Sequence, residues 1–455
     1  MDNKQYIVAL EIASSHVAAT AAAFDPQTKD VSELCHFEEA VKDCVRYGCI
    51  SNVEEVLSKL TLIFNRIERH PKISPRKISS VFIGIEARSL HSDSIKIEKE
   101  INDEFPISET LINSIFREAE QEFKNVYILK TLPKYFEVDG KEMDLKPGAI
   151  GSHIKAEINV ISCRTQITKN INLLLGRAGK KLAGFICTPL AASGITLTEE
   201  EKRLGCVLVD FGADITTVSI YKNNHLQYLN VIPMGSRNIT KDLTTLNLLD
   251  DQAELVKKTY GIIDDSEIPE SSIYGIRSLD IVNYIKARME EIFINIHNQI
   301  KLANFTEEQL PKGFVFIGKG SKLRGLANAI AKQTKMPFRL GGHIDAPDRS
   351  EYSDNIQLLS MLDAISEDID SNYTSLFTPE FAIKNDEDEN EETAIEEKKP
   401  ISVEKEVKKT RKQKIGIFGK FKNFWGELSD AAAGKDMDDD DDENDDNDSL
   451  TNRRY

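Results

Sequence analysis

The feature that most constrains the fold is a strand–turn–strand segment at residues 205–221, whose turn carries a carboxylate, a glycine and hydroxyls. An apolar run ends at Asp210, Gly212 follows in the turn, and Thr216 and Thr217 begin a second β-rich run. This pattern predicts a β-hairpin. Glycine lets backbone N–H groups approach a ligand, hydroxyls donate, and the acid can orient a magnesium-bound water, so the turn can bind a phosphate. An ordinary surface hairpin has the same residues.

A second segment of the same design lies near the N-terminus. Residues 6–24 place an acid, Glu11, after an apolar run, then the turn residues Ser14, Ser15 and His16, then a second apolar run. Two acid-tipped hairpins in one chain indicate an internal near-repeat. The repeat favours one ligand site built by both hairpins over two unrelated surface turns.

A third turn occurs late in the chain. Residues 314–317 are apolar, Gly318, Gly320 and Ser321 follow, and apolar residues then recur at helical spacing. The pattern predicts a strand that enters a helix through a Gly-X-Gly turn. Such a turn suits a phosphate or the edge of a nucleotide, because the N–H groups at a helix start attract anions.

These motifs resemble those of the actin-like ATPase superfamily and, within it, of the bacterial cell-division family FtsA. Residues 10–17 are similar to the first phosphate motif of the family, residues 210–217 to the second, and residues 317–320 to the adenosine motif. The short sequence motifs between them, over residues 5–375, also occur in the same order as in FtsA sequences. The resemblance implies an α/β, actin-like (ribonuclease H-like) two-lobed fold with duplicated subdomains, an inserted FtsA-type subdomain and ATP with magnesium as cofactor.

The resemblance also implies a set of nucleotide-binding residues. Glu11 and Asp210 are expected near magnesium, and the i, i+3 spacing of Glu254 and Lys257 places both on one helix face near the adenosine, although a solvated ion pair would have the same spacing. No catalytic residue and no protein-ligated metal is predicted. The predicted nucleotide-binding set is Ser14, Ser15, His16, Asp210, Gly212, Thr216, Thr217, Gly235, Glu254, Lys257, Gly318, Gly320 and Ser321.

Several motif positions depart from the family pattern. Ala13 and Ala213 replace glycines, and charged side chains stand at two further glycine positions, Asp214 and Lys319. A carboxylate about 4 Å from a polyphosphate is repelled by roughly 4 kcal/mol at an effective dielectric constant near 20. Magnesium or an outward rotation of the side chain would relieve this repulsion. We therefore expect weak or absent ATP binding, and at most a weak ATPase rather than an enzyme of rapid turnover.

The chain has 455 residues, enough for two or three domains. By its resemblance to the family, the chain is expected to contain two lobes, two inserted subdomains and a tail. The predicted segments are lobe 1 at 1–85 with its return and connecting helix at 166–203, an FtsA-type insertion at 86–165, lobe 2 at 204–233 and 311–376, a helical insertion at 234–310, a disordered linker at 377–413, an amphipathic membrane-targeting helix at 414–430 and an acidic disordered tail at 431–455.

Apolar periodicity predicts the main elements within these segments. Predicted helices cover 53–69, 108–123, 165–178, 190–195, 239–248, 251–260 and 279–302, and predicted strands cover 80–85, 124–133, 135–138, 153–162 and 184–188. In the family, the 86–165 insertion serves contacts between neighbouring subunits. The 234–310 insertion captures the C-terminal peptide of the tubulin-like GTPase FtsZ. The resemblance places Arg288 on the capturing helix, where an ordinary surface arginine is the alternative.

The tail contains a short amphipathic stretch after a basic segment. Its apolar residues recur at spacings of three and four, and they include the single tryptophan of the chain. The predicted membrane-binding residues are Phe418, Phe421, Phe424, Trp425 and Leu428, with Lys420 and Lys422 beside them. A stripe this short suits an anionic membrane surface, although docking into a protein groove is an alternative. The acidic residues that follow should be repelled by anionic lipid.

Bulk properties narrow the remaining function classes. A net charge of −17 argues against nucleic acid as a partner. The apolar runs are shorter than the ~20 residues of a membrane span, and the N-terminus does not have the pattern of a signal peptide. The six cysteines lack zinc spacing. Together these features predict a cytoplasmic protein. We expect a peripheral adaptor on the cytoplasmic side of the inner membrane at the division site, which binds FtsZ, itself and other division proteins. The alternatives are an actin-like pilus-assembly or scaffold ATPase and a sugar-kinase-type enzyme.

Overall fold

The computed structural model describes residues 5–101, 106–143, 146–263, 271–342, 355–369 and 373–378, all within the first of two compact units, residues 1–391. The second unit, residues 392–455, lies outside the described residues.

Strands and helices alternate through the described residues. The strands are β1 Gln5–Ile12, β2 His16–Phe24, β3 Val31–Ala40, β4 Val45–Arg46, β5 Cys49–Ile50, β6 Lys77–Ile78, β7 Ser80–Ile85, β8 His91–Glu100, β9 Val126–Val138, β10 Lys141–Glu142, β11 His153–Arg164, β12 Lys181–Cys187, β13 Cys206–Phe211, β14 Thr216–Lys222, β15 His225–Ile232, β16 Ser272–Ile273, β17 Ile276–Arg277, β18 Phe314–Ile317, β19 Phe338–Leu340 and β20 Leu376–Phe377. The α-helices are α1 Val53–Arg69, α2 Glu109–Gln121, α3 Thr165–Arg177, α4 Thr188–Thr196, α5 Glu199–Leu204, α6 Ser236–Thr244, α7 Asp250–Tyr260, α8 Ser278–Leu302, α9 Leu326–Gln333 and α10 Ile356–Asp368. Short 3-10 turns cover Glu307–Gln309 and Lys319–Lys322.

Two sheets carry the same arrangement of strands. The first has the order β12-β7-β1-β2-β3, with parallel pairs β12–β7 and β7–β1 and antiparallel pairs β1–β2 and β2–β3. In the second, β19-β18-β13-β14-β15 repeats this sequence of parallel and antiparallel pairs. The duplication predicted from the two acid-tipped hairpins is therefore present, with β1–β2 and β13–β14 as the equivalent hairpins.

The second sheet continues into the inserted segment, so that nine strands follow the order β10-β9-β11-β8-β15-β14-β13-β18-β19. The join between β8 and β15 contains a single ladder pair, Asn230 with His91. Two side chains reinforce it: the Ser92 hydroxyl accepts the Leu229 N–H at 2.8 Å, and the buried Asn159 amide donates to the Leu226 carbonyl.

Amphipathic helices cover these sheets. The apolar stripe of α1, which includes Val56, Leu60 and Ile63, is buried in the largest core cluster, and the Asn52 side chain caps the helix by accepting the Glu55 N–H. The second lobe buries the apolar face of α8 against β13, β14 and β18. The inserted segment has its own core, in which α2 packs on β8, β9 and β11.

Several predicted elements differ from the structure. Strand β8 was missed, because half of its residues are charged and its apolar residues are few. The two strands predicted at 124–133 and 135–138 are one strand, β9, which passes through Pro133. The strand predicted to end at Thr188 ends at Cys187, and α4 begins before Leu190, since Pro189 is favourable in the first turn of a helix. Helix α6 begins at Ser236 and ends at Thr244, earlier than predicted at both ends.

Candidate functional site: a cleft between the two hairpins

A cavity of about 1210 Å³ is lined by the turns of both equivalent hairpins and by the Gly-X-Gly turn after β18. The lobes contribute to it jointly, because each hairpin turn lies at the end of a central strand in its own sheet. Most residues of the predicted nucleotide set lie in its wall. Those that line the cavity are Glu11, Ser14, Ser15, His16, Asp210, Gly212, Glu254, Lys257, Gly318 and Gly320.

Four residues of the predicted set are not among the lining residues, and their polar groups have partners inside the protein. The buried Thr216 hydroxyl donates to the Met234 carbonyl at 2.7 Å, and the buried Thr217 hydroxyl donates to Glu86. The Ser321 hydroxyl donates to the Gly318 carbonyl. The Gly235 N–H donates to the side chain of Asn238 on α6. These residues shape the turns around the cavity from behind its wall.

Buried carboxyl groups gather at the base of the hairpins. Burial and the neighbouring Asp210 carboxyl raise the pKa of Glu86 well above its ordinary value. Burial raises the pKa of Asp210 to about 6, against the opposing effect of the amide hydrogen bond that Gln357 donates to it at 2.9 Å. Sequence reasoning missed Glu86 and Gln357. The signal for Glu86 was an acid directly after the buried strand β7, the same pattern that identified Glu11 and Asp210.

Glu11 and His16 form a pair across the first turn. The Glu11 carboxylate lies 3.6 Å from the His16 Nε2 atom. Although burial opposes both charges, each partner stabilises the other, so the pKa of Glu11 is lowered and that of His16 is raised. Lys319, in the Gly-X-Gly turn, contacts both carboxylate oxygens of Glu38 on β3 at 2.8 Å. This exposed ion pair links the two lobes at the cavity.

Asp214 does not present a free carboxylate to the cavity. Its side chain is 3% exposed and lies 3.2 Å from the Nε atoms of both Arg46 and Arg237. The Tyr47 N–H also donates to it at 3.4 Å. The repulsion expected from the sequence assumed an unpaired Asp214 charge, and that assumption is wrong, because two arginines pair with the carboxylate. The sequence did not show this pairing, since both arginines are distant from Asp214 along the chain and only the fold brings them together.

Glu254 and Lys257 lie together on α7, as their spacing predicted. The Lys257 ammonium is 2.7 Å from the Glu254 carboxylate and donates to the Thr240 hydroxyl at 2.9 Å. Burial lowers the pKa of Lys257 in spite of this carboxylate. The pair is therefore a partly buried part of the cavity wall rather than a solvated surface pair.

The cavity is large enough to hold a nucleotide. Ligand sites usually enclose about 300–1,000 Å³, so a nucleoside triphosphate has room. Within the part of the chain that the structure describes, no group of three or more histidine, cysteine, aspartate or glutamate side chains is placed to hold a metal ion. A magnesium ion here would take most of its ligands from phosphate and water, which is its usual preference at nucleotide sites.

Comparison with known proteins finds relatives among cell-division proteins. Residues 207–357 match the family described as "Cell division protein FtsA". A Porphyromonas gingivalis protein of that name is 30% identical over 315 residues, which is 66% of this chain and 65% of that protein. The chain is thus similar to FtsA proteins over most of its length. FtsA proteins of Bacillus subtilis and Escherichia coli are 25% and 22% identical over 72% and 77% of this chain, and over 76% and 87% of their own lengths. The match spans just under two thirds of the Porphyromonas gingivalis protein.

The fold is actin-like, as the resemblance implied. A solved structure titled "PilM-PilN type IV pilus biogenesis complex" superposes with a TM-score of 0.56, covering 80% of this chain and 99% of that one at 14% identity. At this identity the likeness concerns the fold alone.

Arg288 lies in the middle of α8. Its guanidinium group contacts the Asp242 carboxylate of α6 through two hydrogen bonds of 2.6 and 2.9 Å, and it also pairs with Glu291. The predicted membrane-binding residues of 414–430 lie outside the described residues. Among the helices that are described, none combines the length and the apolar character needed to cross a bilayer.

Proposed function

We propose that this protein belongs to the FtsA family and is a cell-division adaptor that tethers FtsZ to the cytoplasmic face of the inner membrane. The similarity to FtsA proteins carries the proposal. The amphipathic stretch at 414–430 supports it, because six apolar side chains within twelve residues beside lysines suit an anionic lipid surface. Nucleotide, if bound in the cleft, would gate self-assembly of the actin-like body, and weak ATP hydrolysis would accompany it.

The membrane part of the proposal is tested by co-sedimentation of the full chain and FtsZ with liposomes that contain anionic lipid. FtsZ should sediment with the liposomes only when the full chain is present. Replacing Phe421, Phe424 and Trp425 by alanine should release both proteins. Each lysine near an anionic leaflet contributes about 1 kcal/mol, so high salt should also weaken binding. Unchanged sedimentation of the triple variant would contradict the proposal.

Truncation after Lys435 is the matched control, because it shortens the tail and keeps the amphipathic stretch. It removes ten acidic residues and three neutral ones at 436–448, together with the last seven residues. The truncated chain should bind liposomes at least as well as the full chain, and better at low salt if the acidic tail opposes lipid. A loss of binding would mean that the lipid contact lies in the last twenty residues.

The FtsZ-binding part is centred on Arg288, whose contacts allow a sharp test. Replacing Arg288 by alanine removes the guanidinium group, whereas Asp242→Asn keeps it and weakens its main internal bond. If Arg288 contacts an acidic group of the FtsZ C-terminal peptide, R288A should weaken peptide binding and D242N should not. If both variants weaken it equally, Arg288 acts only by joining α6 to α8. Arg277→Ala, an exposed arginine just before α8, is the control.

A further inference from the structure

Asp214 joins the two lobes at the cavity. The carboxylate belongs to the β13–β14 turn of the second lobe, and it accepts hydrogen bonds from the Arg46 side chain and the Tyr47 N–H of the first lobe. On its other side it pairs with Arg237 at 3.2 Å. The Arg237 guanidinium in turn donates to the carbonyl of Ser14, in the first hairpin turn, at 2.7 Å. One buried carboxylate thus connects both hairpin turns.

The groups around this carboxylate are those that bind phosphate in proteins. Arginine forks and backbone N–H groups recognise the oxygens of phosphate and carboxylate in the same way. Arg237 and Asp214 both line the cavity that has room for a nucleotide. With its two arginine partners, the carboxylate occupies an anion site at the wall of that cavity.

We propose that Asp214 is a built-in substitute for a nucleotide phosphate. It fills the anion site made by Arg46 and Arg237 and joins the lobes without nucleotide. The cleft of the unmodified protein is therefore closed in the absence of ATP. Removing the Asp214 carboxylate would expose both arginines to a phosphate, because a second carboxylate near them, Asp43, is 63% exposed and more distant, at 3.7 Å from Arg46 and 3.6 Å from Arg237. This inference does not depend on FtsZ or membrane binding.

Another ion pair across the cavity serves as a contrast. Lys319 and Glu38 also join the lobes, but their side chains are 40% and 36% exposed, whereas Asp214 is 3% exposed and its partners Arg46 and Arg237 are 34% and 20% exposed. Exposed pairs contribute little to stability, and breaking a buried pair has a large effect. Asp214 is therefore expected to hold the lobes together to a much greater extent than Lys319 does.

The first test is calorimetric titration of the full chain with Mg-ATP. Asp214→Asn should bind Mg-ATP at least about tenfold more tightly than the unmodified protein, because hydrogen bonds to charged groups contribute more than the ~1.4 kcal/mol of a tenfold change. Asp251→Asn is the matched control: Asp251 lines the same cavity, but it is 94% exposed, so the same charge change should have little effect. Equal or weaker binding by D214N, or an equal gain in D251N, would overturn the proposal.

The second test measures closure directly, by hydrogen exchange of the Tyr47 amide. In the unmodified protein this amide should be protected without nucleotide, and Mg-AMPPNP should not increase the protection. Arg46→Gln should reduce the protection without raising ATP affinity, because Asp214 still holds Arg237; this variant keeps the proposal testable if D214N does not fold. Glu38→Gln should leave the amide unchanged. An unprotected Tyr47 amide that becomes protected only with Mg-AMPPNP would refute the inference.

Discussion

Replacing Gly318 by alanine should destabilise the protein by two separable effects. Gly318 has φ of 85° and ψ of 157°, a backbone region that essentially only glycine adopts and that costs another residue about 1–3 kcal/mol. A methyl group there would also lie 2.4 Å from the Asp210 carboxylate and 2.7 Å from the Phe211 carbonyl. These contacts force a shift of the turn or of β13, for which about 1–3 kcal/mol is typical. The expected total is about 2–6 kcal/mol.

Gly140→Ala is the control for a positive φ without close contacts. Gly140 has φ of 81°, and no atom lies within 4 Å of the position that its methyl group would take. This variant should therefore lose only about 1–2 kcal/mol.

The free energy of unfolding is measured by urea titration followed by far-ultraviolet circular dichroism, with both variants in the full chain and without nucleotide. The difference between the two losses sets an upper limit on the effect of close packing between the Gly-X-Gly turn and Asp210. If the two variants lose equal stability, that packing is loose, and the reasoning that places these turns in a rigid cleft is refuted.

Three further predictions concern buried polar groups. Burial raises the pKa of Asp210 from 3.8 to about 6, so its charged form destabilises the fold and the free energy of unfolding falls as the pH rises from about 4 to 7. Asp210→Asn should remove up to roughly 3 kcal/mol of this fall, measured by denaturant titrations without magnesium. Asn159→Ala leaves the buried Leu226 carbonyl without its donor and should cost about 1–3 kcal/mol, seen as faster hydrogen exchange in β8 and β15. Glu201→Gln weakens the pair of hydrogen bonds with Arg339 and should lower the free energy of unfolding by about 2 kcal/mol at pH 7. Although burial opposes the Glu201 charge, hydrogen bonds lower the pKa of Glu201. In urea titrations the difference between the variant and the unmodified protein should therefore disappear as the pH falls below that lowered pKa.

Periodic patterns predicted the fold where a side-chain stripe and a local cap agree. Helix α1 begins and ends at the predicted residues, because its apolar face and the Asn52 cap specify the same bounds. Strand β8 escaped prediction because both of its neighbours, β11 and β15, come from distant parts of the chain, and its own residues carry little apolar signal. Tertiary pairing, rather than local preference, makes it a strand.

The site was predictable in outline and not in its charges. Acid, glycine and hydroxyl positions in the hairpins located the cleft, since they follow from local turn chemistry. The partners of Asp214 could not be located, because Arg46 is 168 positions away along the chain. For the same reason the sequence showed a repulsive charge where the fold makes a paired one. Glu86 and Gln357, the neighbours of Thr217 and Asp210, are equally remote in sequence.

The single ladder pair between β8 and β15 has a mechanical consequence. The hydrogen bonds between the inserted segment and β15 are one backbone pair and those of the Ser92 and Asn159 side chains, beside apolar residues of the shared core. Each neighbouring ladder, β11 with β8 and β14 with β15, has many more bonds in register. Tension would part the sheet at this seam first, leaving both halves folded, so the inserted segment can yield under load and rejoin without unfolding the cleft.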